Sequence, residues 1–117
     1  MEIDELLRAL IDGDMLSARQ WVADAARAGF DWSTVPAPTM RPAAEMAIAA
    51  GITELLASRA GQLPPTWTRD VLAAPEPVYL VRAARHFPRL RRLCEEEGPE
   101  PLRRRRVLAP PEFLTAA

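Results

Sequence analysis

His86 and Cys94 are the residues best suited to covalent or acid–base chemistry, and each is the single example of its type in the chain. A cysteine nucleophile needs its base within hydrogen-bond reach. Eight residues of separation does not bring two side chains together on one helix, so both are expected to hold structural or surface roles. Metal chemistry has no better start, because no Cys/His ligand spacing is present. Five scattered glycines cannot build a phosphate-cradling loop. Glu95, Glu96 and Glu97 are consecutive, so on a helix they point in different directions and read as a solvated helix end. The expectation is a protein with no catalytic residues, no metal and no cofactor, and therefore not an enzyme.

Arginine carries the remaining chemistry. All 15 basic residues are arginine. Arg103, Arg104, Arg105 and Arg106 are consecutive and could neutralise either nucleic-acid phosphates or an acidic protein surface. On a continuous helical wheel over 78–97, Arg82, Arg85, Arg89 and Arg92 share one side, opposite Leu80, Ala84, Phe87, Leu90 and Cys94. With Arg91 they form a candidate basic face. Nearby Glu95–Glu97 and Glu100 offer internal partners for the same cations. No helix-turn-helix, RNA-binding aromatic pair or zinc knuckle accompanies them. Protein binding is therefore the first expectation, with nucleic-acid binding by the C-terminal arginine cluster as the alternative.

The elements that must position these residues are helical. Ile3, Leu6, Leu7 and Leu10 recur at i, i+3, i+4 and i+7, which predicts an amphipathic helix over about 2–12, ended by Gly13. Asp14 is placed to cap a second helix with Ala18, Trp21, Val22 and Ala25 on one face, closed by Gly29. Together they read as an acidic helical hairpin over 1–29. Phe30–Thr39 has no helical period and is expected to be a loop whose aromatic residues tuck onto the helices. A central helix over 40–61 starts at Pro42, ends at Gly61, and places Ile48, Ile52, Leu55 and Leu56 on one face. Leu63–Thr68 is a proline-braced loop that should return Trp67 to that helix, with Thr66 or Thr68 capping a short turn.

Basic helices and a tail fill 78–117, broken near Phe87-Pro88 because mid-helix proline removes a hydrogen bond. After a short basic helix and a brief extended piece, a last turn carries Phe113 and Leu114. No strand is assigned, and Val78-Tyr79-Leu80-Val81 is the one candidate segment. The fold class expected is all-α: a single-domain bundle of five or six short helices with proline-rich connections.

Composition fits one domain. The 117 residues allow a modest core, 49% hydrophobic but rich in alanine, and the 12 prolines cluster between the helices. Large aromatics such as Trp21, Trp32 and Trp67 are needed as core filler before they can form a surface patch. A single cysteine rules out an internal disulfide and suits a reducing cytoplasm. The start is acidic, and no stretch is apolar enough to span a membrane, so a cytoplasmic location is expected. The net charge of −1 hides an asymmetry: residues 1–35 hold seven acids and three arginines, and residues 69–117 hold ten arginines and seven acids.

Two segments resemble known proteins. Gly61-Gln62-Leu63-Pro64-Pro65-Thr66-Trp67-Thr68, following its helix, is similar to a Gly-x-x-x-Pro-x-Trp-Thr segment in small actinobacterial proteins. The arginine-rich tail from Glu100 through Val107 to Leu114 is similar to the tail that closes the same proteins. Members of that group look like the antitoxin side of toxin–antitoxin pairs, some beside a nucleotidyltransferase-like toxin. Some carry an N-terminal DNA-binding helix-turn-helix; this chain has acidic helices there, so operator binding is not carried over. Met40–Ala60 also looks superficially like an ankyrin repeat, but a repeat fold needs about three stacked copies. Prolines at 64, 65, 75, 77 and 88 interrupt any continuation.

The resemblance implies an antitoxin-like module that binds and masks another protein, one encoded nearby. Arg103–Arg106 would steer the contact, with Phe113 and Leu114 as its buried anchors. Removal of residues 101–117 is then expected to abolish binding and leave the helices folded. Whether the chain self-associates is left open.

Overall fold

The computed structural model describes residues 2–39 and 41–115. Met1, Met40, Ala116 and Ala117, at the ends of the expected hairpin, central helix and tail, lie outside the described residues. Helix α1, Ile3–Asp12, buries Ile3, Leu6, Leu7 and Leu10 as its period requires. Asp4 and Glu5 in its first turn complement the helix dipole. Gly13 adopts φ 74°, where its N–H donates to the Leu10 carbonyl and that of Asp14 to Ala9. This left-handed cap turns the chain straight into helix α2, Met15–Arg27, whose first turn Asp14 caps through the Ser17 N–H at 3.1 Å.

Trp21, Phe30 and Trp32 form an aromatic cluster with ring centroids 4.8–5.8 Å apart, Phe30 edge-on to both indoles and the two indoles tilted to each other. The loop that carries Trp32 contains a short 3-10 turn, Trp32–Thr34, capped by Asp31. Gln62 fastens it from the far side, accepting from the Trp32 N–H at 2.7 Å and donating to the Phe30 carbonyl at 3.1 Å. Trp67 is half-buried and donates from its indole to the Val35 carbonyl at 2.8 Å. The tryptophans are filler and fasteners for the core, as expected.

Helix α3, Ala43–Arg59, is the spine of the molecule. Every residue from Ala47 to Ala57 is buried, so the helix is surrounded rather than buried on one face. The single apolar face expected from Ile48, Ile52, Leu55 and Leu56 understates this, because small alanines let neighbours close on the other sides. At Gly51 a Cβ would lie 2.7 Å from Cδ2 of the fully buried Leu102 and 3.2 Å from the Pro101 carbonyl oxygen, so a larger residue would have to displace Leu102.

The second half departs from a pure bundle. A 3-10 turn, Thr66–Asp70, follows Pro65 without a threonine cap; the buried Thr68 hydroxyl instead donates back to the Pro65 carbonyl at 2.9 Å. Strand β1, Val78–Tyr79, then pairs in parallel with strand β2, Val107–Leu108, in the register Val78–Val107 and Tyr79–Leu108. β1 falls on the one candidate segment, Val78–Val81, to which no strand was assigned, and β2 on the brief extended piece before the last turn. Two residues are too short to show alternation, and the pairing depends on contacts about thirty residues apart.

Between the strands run a 3-10 turn, Arg82–Arg85, helix α4, Pro88–Glu97, and helix α5, Glu100–Arg103. Pro88 sits in the first turn of α4, which confirms the break before it. Because of that break Phe87 leaves the apolar side and is 61% exposed, while Ala84 and Cys94 pack with Leu108 in a small satellite core. Five α-helices and this two-strand ladder, among the described residues, make a small all-α domain.

Candidate interaction surface

The arginine tail is built into the molecule. Glu54 is the single acid in the buried stretch of α3, and its carboxylate faces Arg105. Arg105 is 4% exposed. Its Nη1 donates to Glu54 Oε1 at 2.5 Å and its Nη2 to Oε2 at 3.0 Å, a two-pronged ion pair. The same guanidinium donates to the carbonyls of Thr68 at 2.7 Å and Pro101 at 3.0 Å. Burial alone would push the Glu54 carboxyl up; the hydrogen bond from Arg105 and the charges of Arg105 and Arg104 outweigh it and hold the group below the usual range.

The other three tail arginines are also engaged. Arg104 pairs with Glu54 and, at 3.6 Å, with Glu100. Arg103 donates to the Glu96 carbonyl at 2.6 Å. Arg106 takes a left-handed backbone conformation, φ 62°, and donates to the Pro75 carbonyl at 2.9 Å. Arg103, Arg104 and Arg106 keep exposed surface; Arg105 has none to offer a partner.

Phe113 and Leu114, expected as partner anchors, are core residues at 4% and 5% exposure. Arg59 pins their turn by donating to the carbonyls of Phe113 and Pro111. The reason is the thin alanine core: the last turn supplies bulk that α3 lacks. Leu102, Val107, Leu108 and Ala109 are buried as well, so the segment expected to be a detachable contact tail supplies core side chains instead.

Arg82, Arg85, Arg89 and Arg92 are all exposed. Among the described residues no carboxylate lies within ion-pair distance of any of the four. Arg91 donates to the Arg85 carbonyl and lies 6.0 Å from the Tyr79 ring centroid. Tyr79 in turn donates its hydroxyl to Glu95 at 2.6 Å. The 3-10 turn and α4 thus carry exposed arginines in sequence on either side of the exposed Phe87, and of the four only the Arg82 side chain is hydrogen-bonded among the described residues, to the Asp12 carbonyl.

Two clefts of about 540 Å³ open on the surface. The first lies beside the aromatic cluster, between α2 and the end of α3; it is largely apolar, and the polar side chains that line it, Arg59, Gln62 and Thr115, already hold loop carbonyls. The second joins the end of α1 to β1 and the Arg82–Arg85 turn, and includes His86. His86 is exposed, whereas Cys94 is buried in the satellite core, where desolvation pushes its thiol above the ordinary range. The two do not form a nucleophile–base pair. Among the described residues no group of three or more His, Cys, Asp or Glu is placed to hold a metal ion. None of the described helices is long and apolar enough to cross a membrane.

Sequence reasoning missed the Glu54–Arg105 pair and the second cleft. The pair had a signal, since Glu54 is a lone charge inside an apolar helical run. The cleft had none, because it joins residues about seventy positions apart. No family model, curated protein or solved structure matches the chain.

Proposed function

We propose that the chain is a non-catalytic protein-binding module, an antitoxin-like partner that masks another protein through the face formed by Arg82, Arg85, Arg89 and Arg92. The observation that carries this reading is the division of the arginines. In the tail, Arg104 and Arg105 are ion-paired and Arg103 and Arg106 donate to backbone carbonyls; of the four, Arg82 donates to the Asp12 carbonyl, and among the described residues the side chains of Arg85, Arg89 and Arg92 have neither an ion pair nor a hydrogen bond. Exposed cations beside an exposed aromatic, Phe87, are the usual ingredients of an electrostatically steered contact with an apolar anchor. Arg103, Arg104 and Arg106 extend the positive surface, but Arg105, Phe113 and Leu114 belong to the core.

The test is affinity capture of the tagged chain from its native cell, with nuclease treatment, beside an Arg82→Gln/Arg85→Gln/Arg89→Gln/Arg92→Gln variant. Stoichiometric, nuclease-resistant capture of one protein, lost in the variant, is the expected result. Recovery of nuclease-sensitive material alone would move the assignment to nucleic acid. In that event log affinity should fall against log salt with a slope of about −3 to −4 for four neutralised phosphates.

A further inference from the structure

The second cleft is the place where unpaired cations meet apolar surface. Ile11, Ile48 and Leu80 line part of it, and Arg82, Arg85 and His86 line the rest. Its volume of about 540 Å³ falls inside the range of ordinary ligand pockets, roughly 300–1,000 Å³. Arg82 is already set in position. Its Nη2 donates to the Asp12 carbonyl at 2.8 Å, which leaves most of its five N–H donors for a ligand.

The guanidinium also rests on Gly13, where a Cβ would stand 2.8 Å from its Nε and 2.9 Å from its Cζ. A cation held this way gives up little rotamer freedom on binding. Glu45, the one carboxylate lining the cleft, is paired with Arg41 at 3.1 Å. The cleft therefore presents positive charge that its own acid does not cancel. Ile11, 38% exposed, supplies an apolar edge.

We infer that this cleft is the anchoring subsite of the interaction surface, and that it takes an acidic side chain flanked by an apolar one on a short segment of a protein partner. The carboxylate would accept charge-assisted hydrogen bonds from Arg82 and Arg85, and the neighbouring apolar side chain would cover Ile11. The inference rests on the reading of the chain as a protein-binding module.

It is tested with the isotope-labelled full chain and two capped peptides, one alternating Leu-Glu-Glu-Leu and one in which glutamine replaces glutamate. Amide signals of Ile11, Gly13, His86 and Phe87 should shift and saturate with the glutamate peptide. The glutamine peptide should bind about tenfold more weakly or worse, since hydrogen bonds to a charged group are lost. Arg82→Gln/Arg85→Gln should abolish the shifts. Arg19→Gln/Arg69→Gln, two exposed arginines outside both the cleft and the basic face, should leave affinity within about twofold. All four arginines are exposed, and the undisturbed signals elsewhere report that each variant is folded.

Equal binding of the two peptides, no binding of either, or shifts confined to Arg89–Arg92 or Arg103–Arg106 would overturn the inference. If the peptides fail while the native chain still captures a nuclease-resistant protein through Arg89 and Arg92, only the cleft assignment falls. If the native chain captures no protein, the module reading falls with it.

Discussion

Replacing Glu54 with leucine is the sharpest probe of how this domain is closed. The change leaves the Arg105 guanidinium, 4% exposed, with two carbonyl acceptors and no negative charge. Breaking one side of a buried ion pair generally costs about 3–5 kcal/mol. Glu54→Leu belongs at the upper end, because Arg105 has no second carboxylate within ion-pair distance among the described residues. Arg105→Met belongs at the lower end, about 3 kcal/mol, since Glu54 retains the half-exposed Arg104.

The double variant should recover much of the loss. An apolar pair fills similar space, Arg104 can turn to water, and the main residual cost is the Thr68 and Pro101 carbonyls that lose a donor. Urea unfolding followed by the three tryptophans reads this directly. With a slope of about 1.5 kcal/mol/M, the Glu54→Leu midpoint should fall by roughly 3 M, and the double variant should lie well above it. The carboxyl of Glu54 is held below its unfolded value, so its contribution is present above the unfolded pKa, about 4.3, and disappears as pH falls through the folded value. Glu54→Gln should flatten the acid limb of the stability profile for that reason. Single variants that each lose under about 1 kcal/mol, or a double variant as unstable as the sum of the two, would refute the reasoning.

Two further outcomes follow from packing. At Gly98 a Cβ would stand 2.5 Å from both the Ala109 and the Cys94 carbonyl oxygens, so Gly98→Ala should lower stability by about 2–3 kcal/mol, roughly 8–12 °C in melting temperature; an unchanged melting curve would show that α4 and β2 do not approach as described. A chain ending at Gln62 or at Glu100 should fail to fold in circular dichroism and proteolysis, because Leu102, Val107, Phe113 and Leu114 fill the core against α3; a cooperative transition in either truncated chain would overturn that account.

Local order was legible where local forces decide it. The Leu6–Leu7–Leu10 stripe, the Asp14 cap, the Gly13 turn and the Pro88 start of α4 each depend on residues within one or two turns of each other, and the structure has them where the spacing put them. Val78–Val81 stood out as the one strand candidate, but its pairing with Val107–Leu108 was not legible, because the strands are short and lie across the whole α4–α5 crossover. Phe87 was placed on the wrong side by a helical wheel drawn through a proline. Phe113 and Leu114 were read as surface anchors because a tail following a charge run looks solvated in one dimension. Only the fold shows that this segment covers α3.

Glu54 links the fold to the candidate function. A four-arginine run in a chain of net charge −1 invites reading as a binding site, but one buried acid reverses its meaning. Arg105 enters the core to meet Glu54, Arg104 leans on the same carboxylate, and the backbone turns at Arg106 to start β2. β2 then fixes β1, and β1 leads directly into the Arg82–Arg85 turn. The internal cations of the tail therefore orient the free cations of the opposite segment against Gly13 and Ile11. On this argument Glu54→Leu should weaken partner capture as well as stability, although residue 54 lines neither the cleft nor the exposed basic face. A fully folded Glu54→Leu chain with native capture would separate the tail clasp from the binding surface.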